Sequence, residues 1–121
     1  MQMLNRNPAA AYRRVALEAR IEASGGADLT RICLEEAWAA LGQALMALDR
    51  SQTPPCEPLT RAQTIMLWLA QSVAPEHPLR SSLIAFYGGL AAQIGANVVQ
   101  VRPRDLERIR GDIRDLLEAA G

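Results

Sequence analysis

The apolar residues of this chain recur at intervals of three and four, and that spacing constrains the fold more than any other feature. Leu29, Ile32, Cys33, Ala37, Ala40, Leu41, Ala44, Leu45 and Leu48 follow it over twenty residues. Residues three and four apart share one face of an α-helix, so the run predicts an amphipathic helix over about 29–48. The same period returns in Ala62, Ile65, Met66, Leu69 and Val73. It returns again in Leu83, Phe86, Tyr87, Leu90, Ile94, Asn97, Val98 and Val101, and finally in Leu106, Ile109, Ile113, Leu116 and Leu117. No run of alternating β-branched residues stands anywhere, so strands are not expected.

Prolines and glycines cut the pattern into segments. Residues 1–8 form a polar lead-in expected to be flexible. A shorter helix is predicted after Pro8, through Tyr12, Val15, Ala16 and Leu17 to about Ala23, where Ser24-Gly25-Gly26 ends it. Asp28 is read as the N-cap of the next helix. Ser51–Pro58, with three prolines, is a break that places Cys56 in a turn as an exposed thiol, and Thr60 is a candidate cap beyond it. Ala74–Pro78 ends the third helix. A fourth runs over about 79–101, and Pro103 either breaks it or opens the last one, over about 104–119. There, Arg108–Asp112 and Arg114–Glu118 are spaced to pair across one turn. The expected fold is all-α: an antiparallel four-helix bundle with an additional short N-terminal helix, in one domain spanning 1–121.

Composition narrows the function by exclusion. With 13 basic and 13 acidic residues the formal charge is zero. That removes the basic excess on which nucleic-acid binding rests, and helices of about twenty residues disfavour a helix-turn-helix. Cys33 and Cys56 belong to no metal-type cluster, and a reducing, cytoplasmic location fits two unpaired thiols. No signal peptide is read at the N-terminus, and no stretch is read as reaching the roughly 18 apolar residues of a membrane span.

Chemistry is equally scarce. The single histidine, His77, lies in a turn, whereas a metal site inside a bundle needs several inward ligands. Glu35 and Glu36 are adjacent on a helix, about 100° apart, so they cannot share one inward face. No nucleophile–base motif or phosphate-binding loop is present, and neither a cofactor nor catalysis is expected. Gly88-Gly89 inside the fourth helix is costly there, and suggests close packing or the approach of another chain. Leu34, Trp38, Trp68 and Tyr87 flank the main stripes, which suggests apolar surface beyond what the core needs, suited to an amphipathic helix laid in a groove.

Leu83-Ile84-Ala85-Phe86-Tyr87 followed by Ile94-Gly95-Ala96-Asn97 resembles the L..LY and L..AN pattern of the flagellar secretion chaperones called FliS. Tyr12 with Val15, then Ala23-Ser24, is similar to that family's N-terminal tyrosine and its entry into a long second helix. Leu29–Ala37 matches the following segment, and Leu106, Ile109, Ile113 and Leu116 match the last helix. Leu34-Glu35-Glu36 stands where the family has Tyr-Asp-Gly. Gly25-Gly26-Ala27 replaces its proline–glutamate segment, and its C-terminal tryptophan is missing.

The resemblance implies a cytoplasmic chaperone that holds the C-terminal segment of unassembled flagellin, prevents early polymerisation and serves the flagellar type III export apparatus. It also implies that Tyr12 lies over part of the binding surface. The residues expected to form the track are Tyr12, Val15, Leu34, Trp38, Ile65, Trp68, Leu69, Tyr87 and Asn97. The competing expectation is a structural or adaptor bundle that buries its wide stripes against a second copy, as a homodimer.

Overall fold

The computed structural model describes residues 26–50 and 55–120. Within them lie four α-helices: α1 (Gly26–Asp49), α2 (Cys56–Ser72), α3 (Arg80–Val99) and α4 (Pro103–Ala120). The expected N-terminal helix, the flexible residues 1–8 and both Tyr12 and Val15 lie outside the described residues.

The helices form a row bent round on itself. α1 packs on α2 and on α4, α2 packs most extensively on α3, and the α3–α4 contact that closes the ring is the thinnest. Neighbours run antiparallel. The start of α1, the end of α2 and the start of α3 line one groove, while the end of α1 and the start of α4 line another. One core runs through all four, from Cys33, Leu34, Ala37, Leu41 and Ala44 through Leu59, Met66 and Leu69 to Leu90, Ile94, Leu106, Ile109 and Ile113. Alanines at the α1 contacts keep the helices close, and branched aliphatics fill the space between them.

Several helix ends differ from the sequence expectation. α1 begins at Gly26, so Asp28 is a first-turn residue rather than the N-cap. There its carboxylate faces the positive end of the helix dipole. α2 begins at Cys56, which is exposed as expected but helical; Pro58 falls in the first turn, where a missing N–H costs nothing, and Thr60 lies inside the helix. Pro103 is the first residue of α4, the second of the two roles open to it. Arg108 turns towards the helix start rather than to Asp112: it donates to Gln93 Oε1 at 2.8 Å and sits 3.8 Å from Asp105.

One correction concerns α3. By length and composition, Arg80–Val99 is long and apolar enough to cross a bilayer, and only 28% of the qualifying window is buried. Its hydropathy comes from Leu83, Ile84, Phe86, Leu90, Ile94, Val98 and Val99, which small residues, Ala85, Gly88, Gly89, Ala91, Ala92, Gly95 and Ala96, separate, so no run of large apolar residues stands out.

The turn into α4 is held by Asn97, which is 2% exposed. Its Oδ1 accepts the Arg102 N–H at 2.7 Å, and its Nδ2 donates to the Gln93 carbonyl at 2.9 Å. One amide thus ends α3 and fixes the chain one residue before Pro103. At the other end of α3, His77 Nδ1 accepts the Leu79 N–H at 3.0 Å.

Candidate functional site

Charge divides the molecule sharply. Between Ala62 and Val101 the only charged residues are Glu76 and Arg80, both at the α2–α3 turn; all the others fall outside that stretch. The same hairpin holds most of the exposed apolar bulk. Of the six large hydrophobic residues that stand exposed among the described residues, Leu67, Trp68, Leu79, Phe86 and Val99 belong to α2, α3 or the turn between them, and Met46 lies in α1. Single exposed apolar residues are ordinary, but a cluster of them on an uncharged face marks a surface for a partner.

Beside that face, at one end of the bundle, lies a groove of about 520 Å³. Its walls are Leu29 and Thr30 from α1, Trp68, Leu69 and Val73 from α2, and Leu83 and Tyr87 from α3, with His77 at the turn. The chain turns sharply here: Ser72 Oγ donates to the Trp68 carbonyl at 2.6 Å, α2 stops at Val73 in extended backbone, and α3 restarts seven residues later. The gap left between the two ends is the groove. Tyr87 stands at its inner wall, its ring 6.0 Å from Phe86 in an edge-on arrangement. Burial, with the Cys33 thiol as the lesser cause, raises its hydroxyl above the usual tyrosine range. Both groups therefore stay neutral, and the Tyr87 hydroxyl joins those of Thr30 and Ser72 on a mostly apolar wall.

Three of the sequence-predicted site residues, Trp68, Leu69 and Tyr87, come together in this groove. Of these, Trp68 is exposed, at 37%, while Leu69 and Tyr87 present only an edge. The others are dispersed. Leu34 and Ile65 are buried in the core and offer no surface of their own. Trp38 lies on the far side, between α1 and α4, where Arg110 stacks on it with the guanidinium carbon 3.7 Å from the ring centroid. Arg110 Nε also donates to the Trp38 carbonyl at 3.0 Å. This staple needs Gly42, because a Cβ there would lie 2.6 Å from Arg110 Nη2. Burial, then the like charge of Arg114, lowers the Arg110 pKa from its ordinary value. Asn97 is spent on the α3–α4 turn, with both ends of its amide bonded.

Leu67 flanks its stripe beside Trp68 as the helical spacing places it, while Leu79, Val99 and Phe86, a position in the apolar stripe by spacing, are exposed without a flanking signal. The scarcity of charge over residues 62–101, where only Glu76 and Arg80 stand, is visible in the sequence and points to all of them. Among the described residues no group of three or more His, Cys, Asp or Glu is placed to hold a metal ion. The second groove, of about 480 Å³, lies between Leu45, Met46 and Asp49 of α1 and Pro103, Glu107 and Arg110 of α4, and mixes charge with apolar wall.

Compared with known protein families, curated proteins and solved structures, the chain shows no significant match. What it does must therefore be argued from its own residues.

Proposed function

We propose that this chain is a binding protein rather than an enzyme: a cytoplasmic export chaperone that holds the C-terminal segment of unassembled flagellin, prevents its premature polymerisation and assists flagellar type III secretion. One observation carries the reading. The α2–α3 hairpin, charged between Ala62 and Val101 only at Glu76 and Arg80, carries most of the exposed apolar bulk of the described residues, and Trp68 among them walls a groove with Leu29, Leu69, Val73, Leu83 and Tyr87. A disordered amphipathic tail that folds as it binds needs a preformed apolar surface to offset the entropy of its ordering. The residues that resemble FliS, Phe86-Tyr87 and Ala96-Asn97, belong to this hairpin, Tyr87 as groove wall and Asn97 as the clasp of the next turn. In this reading the short N-terminal helix precedes α1 and completes the family's architecture.

Titration of the full chain with a flagellin C-terminal peptide tests the proposal. Binding should be accompanied by a gain in helical circular dichroism, and Trp68→Ala should weaken it about tenfold or more while the thermal melt stays near wild type, as for a central aromatic contact. A peptide that does not bind, or that binds Trp68→Ala as tightly as wild type, rejects the groove as its site.

A further inference from the structure

The outer face of α3 raises a question that the groove does not answer. Ser82, Ala85, Gly89, Ala92, Ala96 and Val99 lie along it at spacings of three, four, three, four and three. Apart from the half-buried Gly89, each of them is exposed. Phe86 projects beside this seam, 37% exposed, and Val99 at its end is 88% exposed. A Cβ built on Gly88 or Gly89 meets nothing within 4 Å, whereas Gly42 and Gly95 are crossed by the side chains of Arg110 and Gln63. Two glycines in the middle of a helix weaken it, and no packing among the described helices uses the room they leave.

From this face we infer that α3 is the contact between two copies of the chain, packed antiparallel about a two-fold axis. Charge selects the occupant. The face carries no charged residue from Ser81 to Val101, while the outer sides of α1 and α4 carry Glu35, Asp49, Glu107, Arg108 and Arg114, among others. A charged face laid on α3 would lose solvation with nothing to pair against, and an identical face brings no charge. Geometry agrees. A two-fold contact must read the same in both directions, and this spacing does, with its midpoint between Gly89 and Ala92. Gly89 of one copy then faces Ala92 of the other, Ala85 faces Ala96, and Ser82 faces Val99. Small side chains along the seam let the axes approach to about 8 Å, the short end of the usual range. A helix of this length is about 30 Å long, so the seam alone buries less than a standard interface of about 1,600 Å². The dimer is accordingly weak and forms only as concentration rises. This inference does not rest on the flagellin reading.

Sedimentation of the full chain over about 1 µM to about 500 µM tests it, the span expected for a small interface. The mass should climb from the 13.2 kDa of one chain towards twice that value. Ala92→Arg, on an exposed position, should keep the wild-type melt and helical content yet remain a single chain throughout. Joining of Ala92→Cys to its mate by a short bis-maleimide, in a Cys56→Ser background, should succeed, while Gln100→Cys should not join, because antiparallel packing separates the two ends. A wild type that stays a single chain overturns the inference. So does an Ala92→Arg variant that dimerises like wild type, or a Gln100→Cys pair that joins as readily as Ala92→Cys. A monomeric wild type whose Ala92→Arg form also loses the flagellin peptide assigns the face to that peptide, and equally overturns the dimer.

Discussion

α3 and α4 are neighbours of similar length, and they solve opposite problems. α4 has the ordinary pattern of a surface helix. Leu106, Ile109 and Ile113 are fully buried, and Glu107, Arg108, Arg114 and Glu118 stand in water. α3 buries Tyr87, Leu90, Ala91, Ile94 and Asn97 on one side, yet its other side is almost as apolar. Both helices meet the demand of the core, so the core does not explain the difference. A helix apolar all round belongs in a buried setting. α3 touches α2 closely and α4 only slightly, which leaves its outer face without a cover among the described helices. The contrast teaches that hydropathy on a helix separates into a part the fold uses and a part it leaves over, and that in this chain the remainder is concentrated on one hairpin.

If that partition is right, truncations in the two parts should behave differently. The largest expected effect is Leu34→Ala. Leu34 is 2% exposed within the shared core, and removal of its side chain should cost about 2–5 kcal/mol. Chemical denaturation measures it. A loss below about 1 kcal/mol would move Leu34 from the core to the surface class and break the comparison.

Next comes alkali. Burial, and to a lesser degree Glu36, raises the Cys33 thiol from 9.0 to about 11. In the unfolded chain the thiol ionises first, so its contribution to stability is whole below pH 9 and is lost as pH rises through about 11. The loss amounts to about 2–3 kcal/mol. Tyr87, shifted in the same direction, adds to it. Urea melts between pH 8 and pH 11 should show the decline, and it should be shallower in Cys33→Ala. In the folded state Cys56 should react with a maleimide well before Cys33, because Cys56 is exposed and Cys33 is not.

Asn97→Ala is expected to cost about 1–3 kcal/mol, because the Arg102 N–H loses its acceptor in a part-buried turn. The effect should appear as faster amide exchange at Arg102, with the α2–α3 groove unaffected. Were peptide binding to fall while stability held, Asn97 would belong to the binding surface after all.

The helices themselves could be read directly, since the 3.6-residue period and the proline breaks are both strong. Their ends could not be read as well. Gly26 and Cys56 are poor helix starters by type, yet α1 and α2 begin at them. The site was harder to place for a physical reason. α1 packs on both α2 and α4, so it needs an apolar face wide enough for two neighbours, and Leu34 beside the main stripe is part of the shared core. A wide face made for two partners within the chain looks the same in sequence as a face made for a partner outside it. Trp38 misled in another way, because the residue that covers it, Arg110, is charged and 72 positions away. What does separate the two cases is the absence of charge over a long stretch. α1 and α4 keep charges on the side turned away from the core, whereas α3 carries none from Ser81 to Val99.

The smallest effect is also the most discriminating. Gly88 sits in the interior of α3, and a Cβ there meets nothing within 4 Å. Gly88→Ala removes the entropic cost of glycine without creating a clash, and should stabilise the isolated chain by about 0.5–1 kcal/mol. The same change at Gly42 should destabilise, since the Arg110 guanidinium must withdraw from Trp38 to admit it. A pair of denaturation curves in dilute solution compares the two glycines, one kept by packing inside the fold and one not. If Gly88→Ala destabilises instead, something within the chain already lies on α3, and its apolar face is part of the fold rather than a remainder.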